Sequence, residues 1–171
     1  MNSQDLAIIA IGSNLGDSHH IISQIIPRLQ SFSDQPLLKS SLWQTAPVDC
    51  PPGSPLFVNA VVALLPRELE TPELLLTALQ SLEKEFGRRP KKILNEARTL
   101  DLDLIAFGTE TRAIVSLTLP HPRAHERRFV LQPLSEIAPD LVLPGQSKTV
   151  ARLLAGLPPD DRLQKLVTAV G

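Results

Sequence analysis

Cysteine and aromatic residues are scarce in this sequence of 171 residues. Cys50 is the single cysteine, which excludes an internal disulfide framework and a cysteine-rich zinc site. Tyrosine is missing, tryptophan occurs once, and aromatic residues make up 4% of the chain. Because RNA-binding sheets commonly stack bases on aromatic side chains, this composition argues against a nucleic-acid partner.

Long apolar runs and a strong charge of one sign are also missing. No run reaches the roughly 18 apolar residues of a membrane span, and the N-terminal residues lack the basic segment of a signal peptide. The net charge of −1 is unlike that of a general nucleic-acid binder. We therefore predict a cytoplasmic protein without a membrane partner, formed by a single domain over residues 1–171. We expect this domain to be a monomer.

The small net charge hides a local cationic zone. Nine of the 17 lysines and arginines lie between Arg88 and Arg128, against five acidic residues in the same stretch. This distribution favours a small polyanionic substrate over a long nucleic acid.

Two aspartates lie inside the cationic zone, in a segment with strand periodicity. Leucine alternates with Asp101 and Asp103 over residues 100–104, which predicts a strand with both carboxylates on one face, roughly 6.5–7 Å apart. One interpretation is a half-buried strand with a solvated acidic face. The other is a phosphate and metal site, because Mg²⁺ prefers hard oxygen ligands and keeps several waters. Arg98, three residues upstream, favours the second interpretation.

The remaining periodicities predict an α+β fold. Thr71 and Pro72 are a typical N-cap and first helical residue. Residues 12–17 are expected to end the first strand and cap the next helix, and Pro27 is expected to bend or shorten that helix. The order βαββα–loop–ββα predicts a mostly antiparallel sheet covered by helices. The predicted strands are 6–11, 37–45, 57–65, 100–107 and the short segments 113–115 and 141–143; the predicted helices lie within 18–29, 71–86, 129–139 and 150–157.

An asparagine, Asn59, lies inside the most apolar of these strands. A buried asparagine must find hydrogen-bond partners. It is either a satisfied core or edge amide, or an amide that reads the donors and acceptors of a heterocyclic ligand. The residues alone leave both interpretations open.

Five motifs follow one another between residues 6 and 145. They are Ala10-Ile-Gly-Ser-Asn-Leu-Gly16, Phe57-Val-Asn-Ala60, Arg98-Thr-Leu-Asp-Leu-Asp103, Leu119-Pro-His121 and Pro133-Leu-Ser-Glu-Ile-Ala-Pro139. In this order and spacing the chain resembles the 6-hydroxymethyl-7,8-dihydropterin pyrophosphokinase family. The resemblance implies a ferredoxin-like α+β sandwich. It also implies the transfer of pyrophosphate from ATP to the pterin hydroxymethyl group, with release of AMP, in tetrahydrofolate biosynthesis.

The resemblance further implies a set of site residues. Asp101 and Asp103 match the two aspartates that hold two Mg²⁺ ions, and Arg98, Arg88 and His121 complete the implied catalytic set. The residues matched to the ATP site are Gln80, Glu83, Arg88, Arg98, Leu117, His121 and Arg127, and those matched to the pterin site are Thr45, Ala46, Val48, Phe57, Asn59 and Phe129. The two phenylalanines match the aromatic residues that sandwich the pterin. No role is implied for residues 146–171.

The chain departs from the family pattern at a few positions. Asn95 stands where the family often has Trp, and Glu96 and Ala97 replace a Gly-Pro or Ala-Pro pair. Pro122 follows His121 in place of a frequent Tyr. We therefore expect an active enzyme with altered closure of the 88–98 loop or altered affinity.

Two other functions are compatible with parts of the sequence. A metal-dependent phosphoesterase or nuclease would use the same aspartate pair, but it would also need a third acidic ligand or a base that activates water. A non-catalytic nucleic-acid-binding domain of ferredoxin-like fold would need aromatic residues on adjacent strands of a basic domain.

Overall fold

The protein is built from eight strands and four α-helices within the part of the chain that the structure describes. The computed structural model describes residues 2–14, 17–45, 56–87, 99–160 and 162–169. The strands are β1 (Ala7–Ser13), β2 (Leu38–Lys39), β3 (Ser41–Thr45), β4 (Phe57–Leu64), β5 (Asp101–Phe107), β6 (Arg112–Ile114), β7 (Leu117–Leu119) and β8 (Leu163–Ala169). The helices are α1 (Ser18–Gln30), α2 (Pro72–Glu85), α3 (Arg128–Ile137) and α4 (Val150–Ala155), with 3₁₀ turns at Ser3–Asp5 and Ala124–Glu126.

One antiparallel sheet organises the fold. Its strand order is β5-β1-β4-β3-β8, and β2 also pairs with β4. Every pairing in this sheet is antiparallel. Strands β6 and β7 form a separate two-stranded hairpin. The predicted α+β class with a mostly antiparallel sheet is confirmed.

Helices cover the sheet on both faces, so the described residues form two apolar cores. Strand β1 shows how the sequence divides between them, because successive side chains of a strand point to opposite faces. Ile9 and Ile11 pack with the apolar residues of α1 and α2. Ile8 packs with residues of α3 and α4. The result is a sandwich of three layers, with the sheet in the middle.

The helix starts follow the local sequence. Asp17 caps α1 by accepting a hydrogen bond from the His20 N–H at 3.2 Å. Thr71 caps α2 by accepting from the Leu74 N–H at 3.1 Å, and Pro72 occupies the first helical position, as predicted. Helix α1 continues three residues past Pro27, because the turns on either side bury isoleucine and leucine. No helix among the described residues has the length and apolarity needed to cross a membrane.

Two predicted strands are wrong in detail, and both errors come from side chains that replace backbone partners. Residues 37–45 are interrupted at Ser40, whose hydroxyl accepts from the Val61 N–H at 2.9 Å. Residues 141–143 form no strand. The Gln4 side chain holds Val142 instead, accepting from its N–H at 2.9 Å and donating to its carbonyl at 3.0 Å. A side-chain amide thus makes the two bonds that a neighbouring strand would make.

The C-terminal strand β8 was not predicted. It forms an edge of the sheet by pairing with β3, with Leu163 opposite Thr45 and Lys165 opposite Trp43. Arg128 fixes the preceding connection by donating to the Leu157 carbonyl at 3.1 Å and to the Pro158 carbonyl at 3.0 Å. Part of the segment 146–171 therefore belongs to the central sheet.

Candidate active site

One end of the sheet brings together residues that are far apart in the sequence. Gly12 lies opposite Asn59 on β4 and opposite Asp101 on β5, while Ala10 lies opposite Asp103. All of these positions face the α3 side of the sheet, because they alternate with residues of the α1 and α2 core. We call this region the Asp101 end of the sheet.

The two aspartates lie on a strand, side by side on one face. Asp101 and Asp103 are half-buried, whereas Leu102 and Leu104 are buried in the core on the opposite face. Glu83 on α2 is 6% exposed and fixes the strand by accepting a hydrogen bond from the Leu102 N–H at 2.9 Å. The predicted strand and the shared face of the carboxylates are both confirmed.

A cationic turn, residues 121–127, faces the two aspartates. The His121 N–H donates to the Ile105 carbonyl at 2.8 Å, which ties the start of the turn to β5. The Arg123 N–H donates to His121 Nδ1 at 3.2 Å, so the ring is oriented by its own turn. Ala124 is fully buried and anchors the middle of the turn in the α3 core.

The charges of this turn and of β5 act on one another. Burial is the main reason why the pKa of His121 is lowered, and Arg127 and Arg123 lower it further while Asp101 opposes them. Burial also lowers the pKa of Arg127, against the attraction of Asp103 and Asp101. His121 is therefore neutral at pH 7, and Arg127 supplies positive charge beside the carboxylates.

Three side chains near the aspartates, Asn59, Phe57 and Phe129, define a candidate slot for a flat ligand. Asn59 is 7% exposed, and its Nδ2 donates to Thr45 Oγ1 at 2.9 Å. Phe57 is half-buried in the same strand, two residues earlier. Phe129 is 39% exposed, and the guanidinium carbon of Arg127 lies 5.5 Å from its ring centre. Both an amide and exposed aromatic surface are thus available next to the cationic turn.

The other implied ATP-site residues occupy different surroundings. Gln80 is exposed on α2. The side chain of Leu117 is buried in the core formed with α1 and α2, so a contact from Leu117 to a ligand must come from its backbone. Four of the implied site residues lie outside the described residues: Ala46, Val48, Arg88 and Arg98. The 88–98 loop, with the departures from the family pattern at 95–97, also lies outside them.

Comparison with known proteins identifies the family. The family model for 7,8-dihydro-6-hydroxymethylpterin-pyrophosphokinase matches residues 8–139. The chain belongs to this family.

Relatives of this pyrophosphokinase support the assignment along most of the chain. The 2-amino-4-hydroxy-6-hydroxymethyldihydropteridine pyrophosphokinase of Haemophilus influenzae is 41% identical over 139 residues, which cover 81% of this chain and 84% of the relative. The Synechocystis enzyme of the same name is 38% identical, covering 86% of this chain and 74% of its own. The folic acid synthesis protein of Pneumocystis carinii is 38% identical, but the match covers only 19% of its length.

A solved structure shares the fold of this pyrophosphokinase. The HPPK-DHPS protein of Plasmodium falciparum, crystallised with pteroate, superposes with a TM-score of 0.66 at 12% identity. The match covers 88% of this chain and 42% of the Plasmodium chain, so this protein spans less than half the length of that structure.

The donors at the Asp101 end of this pyrophosphokinase fit magnesium. Mg²⁺ is usually bound by one or two carboxylates together with water and substrate phosphates, rather than by a complete cage of protein ligands. Within the described ranges, no group of three or more His, Cys, Asp or Glu side chains is arranged to hold a metal ion. Two half-buried carboxylates beside a cationic turn therefore fit an ion that substrate phosphates help to coordinate.

Sequence analysis missed two features of this candidate site. Gly12 was predicted to end the first strand, but β1 continues to Ser13 and Gly12 lies between Asn59 and Asp101 in the candidate site. A Cβ at Gly12 would lie 3.5 Å from Asn59 Oδ1 and 4.0 Å from Asp101 Cβ. Arg123 was counted only as part of the cationic zone, although it acts on both His121 and Arg127. Pairing between distant strands and the shape of the turn determine these roles, and neither leaves a local signal.

Proposed function

We propose that the Asp101 end of the sheet is where this folate-synthesis pyrophosphokinase transfers pyrophosphate from ATP to the hydroxymethyl group of 6-hydroxymethyl-7,8-dihydropterin, releasing AMP. The observation that carries this proposal is the pair Asp101 and Asp103, on one face of β5, whose charges act on the cationic turn. Asn59 lies on the same face of the sheet, across Gly12 from Asp101. Phosphate and heterocycle would therefore meet at one end of one sheet.

The phosphate half of the site consists of the aspartates and the cationic turn. Asp101 and Asp103 would hold Mg²⁺, with two ions expected; when bound, these ions neutralise phosphate charge and polarise the attacking oxygen. Arg127 offers guanidinium donors to phosphate oxygens, which it can bind in a bidentate manner. His121 is neutral because its pKa is lowered, so it contributes a hydrogen bond rather than a charge. The resemblance adds Arg88 and Arg98 to this half.

The remaining residues implied for the ATP site lie on α2 and on the β6–β7 hairpin. Gln80 is exposed on α2 and available to border the nucleotide. Glu83 would contribute by fixing β5, because its carboxylate accepts a hydrogen bond from the backbone N–H of Leu102, between the two aspartates. Leu117 would contribute its backbone.

The pterin half lies at the junction of β3 and β4. The Asn59 amide has a donor and an acceptor group, the combination needed along the edge of a pterin. Its bond to Thr45 fixes the amide with Oδ1 directed toward Gly12. Phe57 and Phe129 supply two rings for stacking on a flat heterocycle. The resemblance adds Ala46 and Val48 to this pocket.

The reaction requires positioning more than covalent chemistry by the protein. The hydroxymethyl oxygen attacks the β-phosphorus of ATP, the bond from that phosphorus to the oxygen it shares with the α-phosphorus breaks, and AMP leaves. The hydroxyl proton is released to solvent. The residues of the site serve to align the oxygen with the β-phosphorus and to stabilise the charge that develops on the phosphate oxygens.

We further propose a monomer in the cytoplasm, where ATP is supplied. The ligands are two small molecules, ATP and the hydroxymethyl dihydropterin.

The products of a single reaction mixture test the proposal. The protein is incubated with ATP, Mg²⁺ and the hydroxymethyl dihydropterin, and the nucleotides are separated by chromatography over time. We expect AMP and pterin diphosphate in equal amounts, and no AMP when the pterin is omitted. ADP as the pterin-dependent product would instead indicate transfer of one phosphate, and release of phosphate without pterin would indicate a phosphoesterase.

A further inference from the structure

A carboxylate on α3 connects three elements at the side of the pterin slot. Glu136 Oε1 accepts hydrogen bonds from Trp43 Nε1 at 2.8 Å and from the Ser41 N–H at 3.2 Å. Its Oε2 accepts from the Ser41 hydroxyl at 2.9 Å and lies 3.3 Å from Lys165 Nζ. We call these four residues the Glu136 cluster. It joins α3 to β3 and to the C-terminal strand β8.

The balance of interactions keeps Glu136 ionised. Desolvation, the largest single effect, raises the pKa of this carboxyl group. The hydrogen bonds from Trp43, Ser41 and Lys165 together outweigh it, so that the pKa of Glu136 is lowered. The groups facing the carboxylate from β3 and β8 are thus all donors, and the cluster is held together by charge-assisted hydrogen bonds.

Strand β3 depends on contacts outside its main ladder. It pairs with β4 over three residues, from Trp43 to Thr45, and on its other side with the edge strand β8. Trp43 lies opposite Asn59, and Thr45, which shares this face, accepts the Asn59 amide bond. The ladder to β4 is short, and the ladder to β8 is irregular between Ser41 and Trp43, so contacts from α3 add to what fixes the position of β3. The Glu136 cluster holds β3 at Ser41 and Trp43, and Trp43 lies two residues before Thr45, which orients Asn59.

We propose that Glu136 is a positioning residue for the pterin, which acts by holding β3 so that Thr45 orients the Asn59 amide. This inference rests on the proposed function, because it assigns the slot at Asn59 to the pterin. It also gives the C-terminal strand a role, since Lys165 supplies one of the donors that keep Glu136 in place. Among the described residues, the side-chain contacts of Glu136 go to β3 and β8 and not to β5 or the cationic turn.

Steady-state kinetics separate this role from a general loss of structure. In Glu136→Ala, we expect the KM for the pterin to rise about tenfold, in line with coupling energies within one hydrogen-bond network. The KM for ATP should change less than about twofold by the additivity of distant sites. Glu85→Ala is the matched control, because Glu85 pairs with Arg28 on the α1 and α2 side of the sheet. Glu85→Ala should leave both KM values unchanged.

Two milder variants keep the test decisive if Glu136→Ala fails to fold. Trp43→Phe keeps an aromatic ring but removes the Nε1 donor, and Glu136→Gln keeps the side-chain shape but removes the charge. Each should raise the pterin KM by a smaller factor than Glu136→Ala, again without a matching change for ATP. Because Trp43 is the single tryptophan, its fluorescence should respond to the pterin in the wild type and less in Glu136→Gln at equal pterin concentration.

The outcomes distinguish the inference from the proposed function. If the wild type forms no AMP from ATP and the pterin, the proposed function fails. If the wild type is active but the variants raise both KM values equally, or neither, the function stands and the positioning role of Glu136 is overturned. A selective rise of the pterin KM in the folded variants supports the inference.

Discussion

Asn59 and Asp101 lie on opposite sides of Gly12, each directly across from it in adjacent antiparallel ladders. Because neighbouring strands are about 4.8 Å apart, the two residues flank a strip of bare backbone roughly 10 Å wide. The amide suits a heterocycle, and the carboxylate suits a metal-bound phosphate. The missing side chain at Gly12 leaves the surface between them open, which is where the hydroxymethyl group would approach the phosphate.

The first prediction is that Gly12→Ala impairs pterin binding without unfolding the protein. A Cβ would meet Asn59 Oδ1 at 3.5 Å and Asp101 Cβ and Phe57 Cδ1 at 4.0 Å, which are ordinary van der Waals distances. Stability should therefore change by no more than about 1 kcal/mol, the usual range for this exchange. The added methyl group would occupy the open surface and weaken pterin binding. Urea unfolding and a pterin titration measure the two effects, and unchanged affinity would show that Gly12 does not border the slot.

The second prediction concerns the exposed ring of Phe129. Phe129→Ala should weaken pterin binding by about 1–3 kcal/mol, by analogy with bases stacked on aromatic side chains. Because Phe129 is 39% exposed, little core packing is lost. Calorimetry with the pterin and separately with ATP measures the effect. Equal losses for both ligands would mean that the ring supports the fold of the turn rather than the pterin.

The third prediction is that the pKa of His121 shifts in opposite directions when a neighbouring cation or a neighbouring anion is removed. It should lie below the ordinary value of 6.5, chiefly because of burial. Arg127→Ala removes a cation and should raise the pKa, whereas Asp101→Asn removes an anion and should lower it further. NMR titration of the histidine ring protons measures these shifts, with His121→Asn used to assign the resonance. Shifts in the same direction in both variants would contradict the arrangement of charges described above.

The sign of the linked stability effect follows from the same pKa. A histidine whose folded pKa is lowered stays neutral in the native state while the unfolded chain binds a proton. The stabilisation is therefore present above pH 6.5 and is lost as the pH falls through the folded pKa. Urea midpoints of the wild type and of His121→Asn should converge at acidic pH if no other group is affected.

Local sequence signals predicted the strand that carries the carboxylates and the starts of the helices. Alternation around Asp101 and Asp103 predicted their shared face, since the period of a strand is two residues regardless of its neighbours. Thr71 and Pro72 predicted the start of α2 because capping is a local interaction. The order of the predicted strands and helices indicated the α+β class, and the resemblance to the family agreed with it.

Non-local partners explain what the sequence did not reveal. Leu141 and Leu143 are buried, but the backbone of Val142 between them is hydrogen-bonded to the side chain of Gln4, which is 138 residues away. Strand β8 pairs with β3, more than 100 residues earlier, so its sequence carries no decisive pattern of its own. The contacts of Glu136 depend on the same pairing, because Ser41 and Lys165 meet only once both strands are in place.

The most direct test of the central claim is single-turnover pyrophosphate transfer by Asp101→Asn and Asp103→Asn, with Mg²⁺ and both substrates in excess over KM. Asp140→Asn, at an exposed aspartate after α3, is the matched control. Removing one group that stabilises transition-state charge typically costs about 10²–10³ in rate, and the fold should persist because repulsion between the two carboxylates is relieved. The account predicts a loss of at least about 100-fold in each site variant and wild-type turnover in the control. Near wild-type turnover in either Asp101→Asn or Asp103→Asn would contradict it.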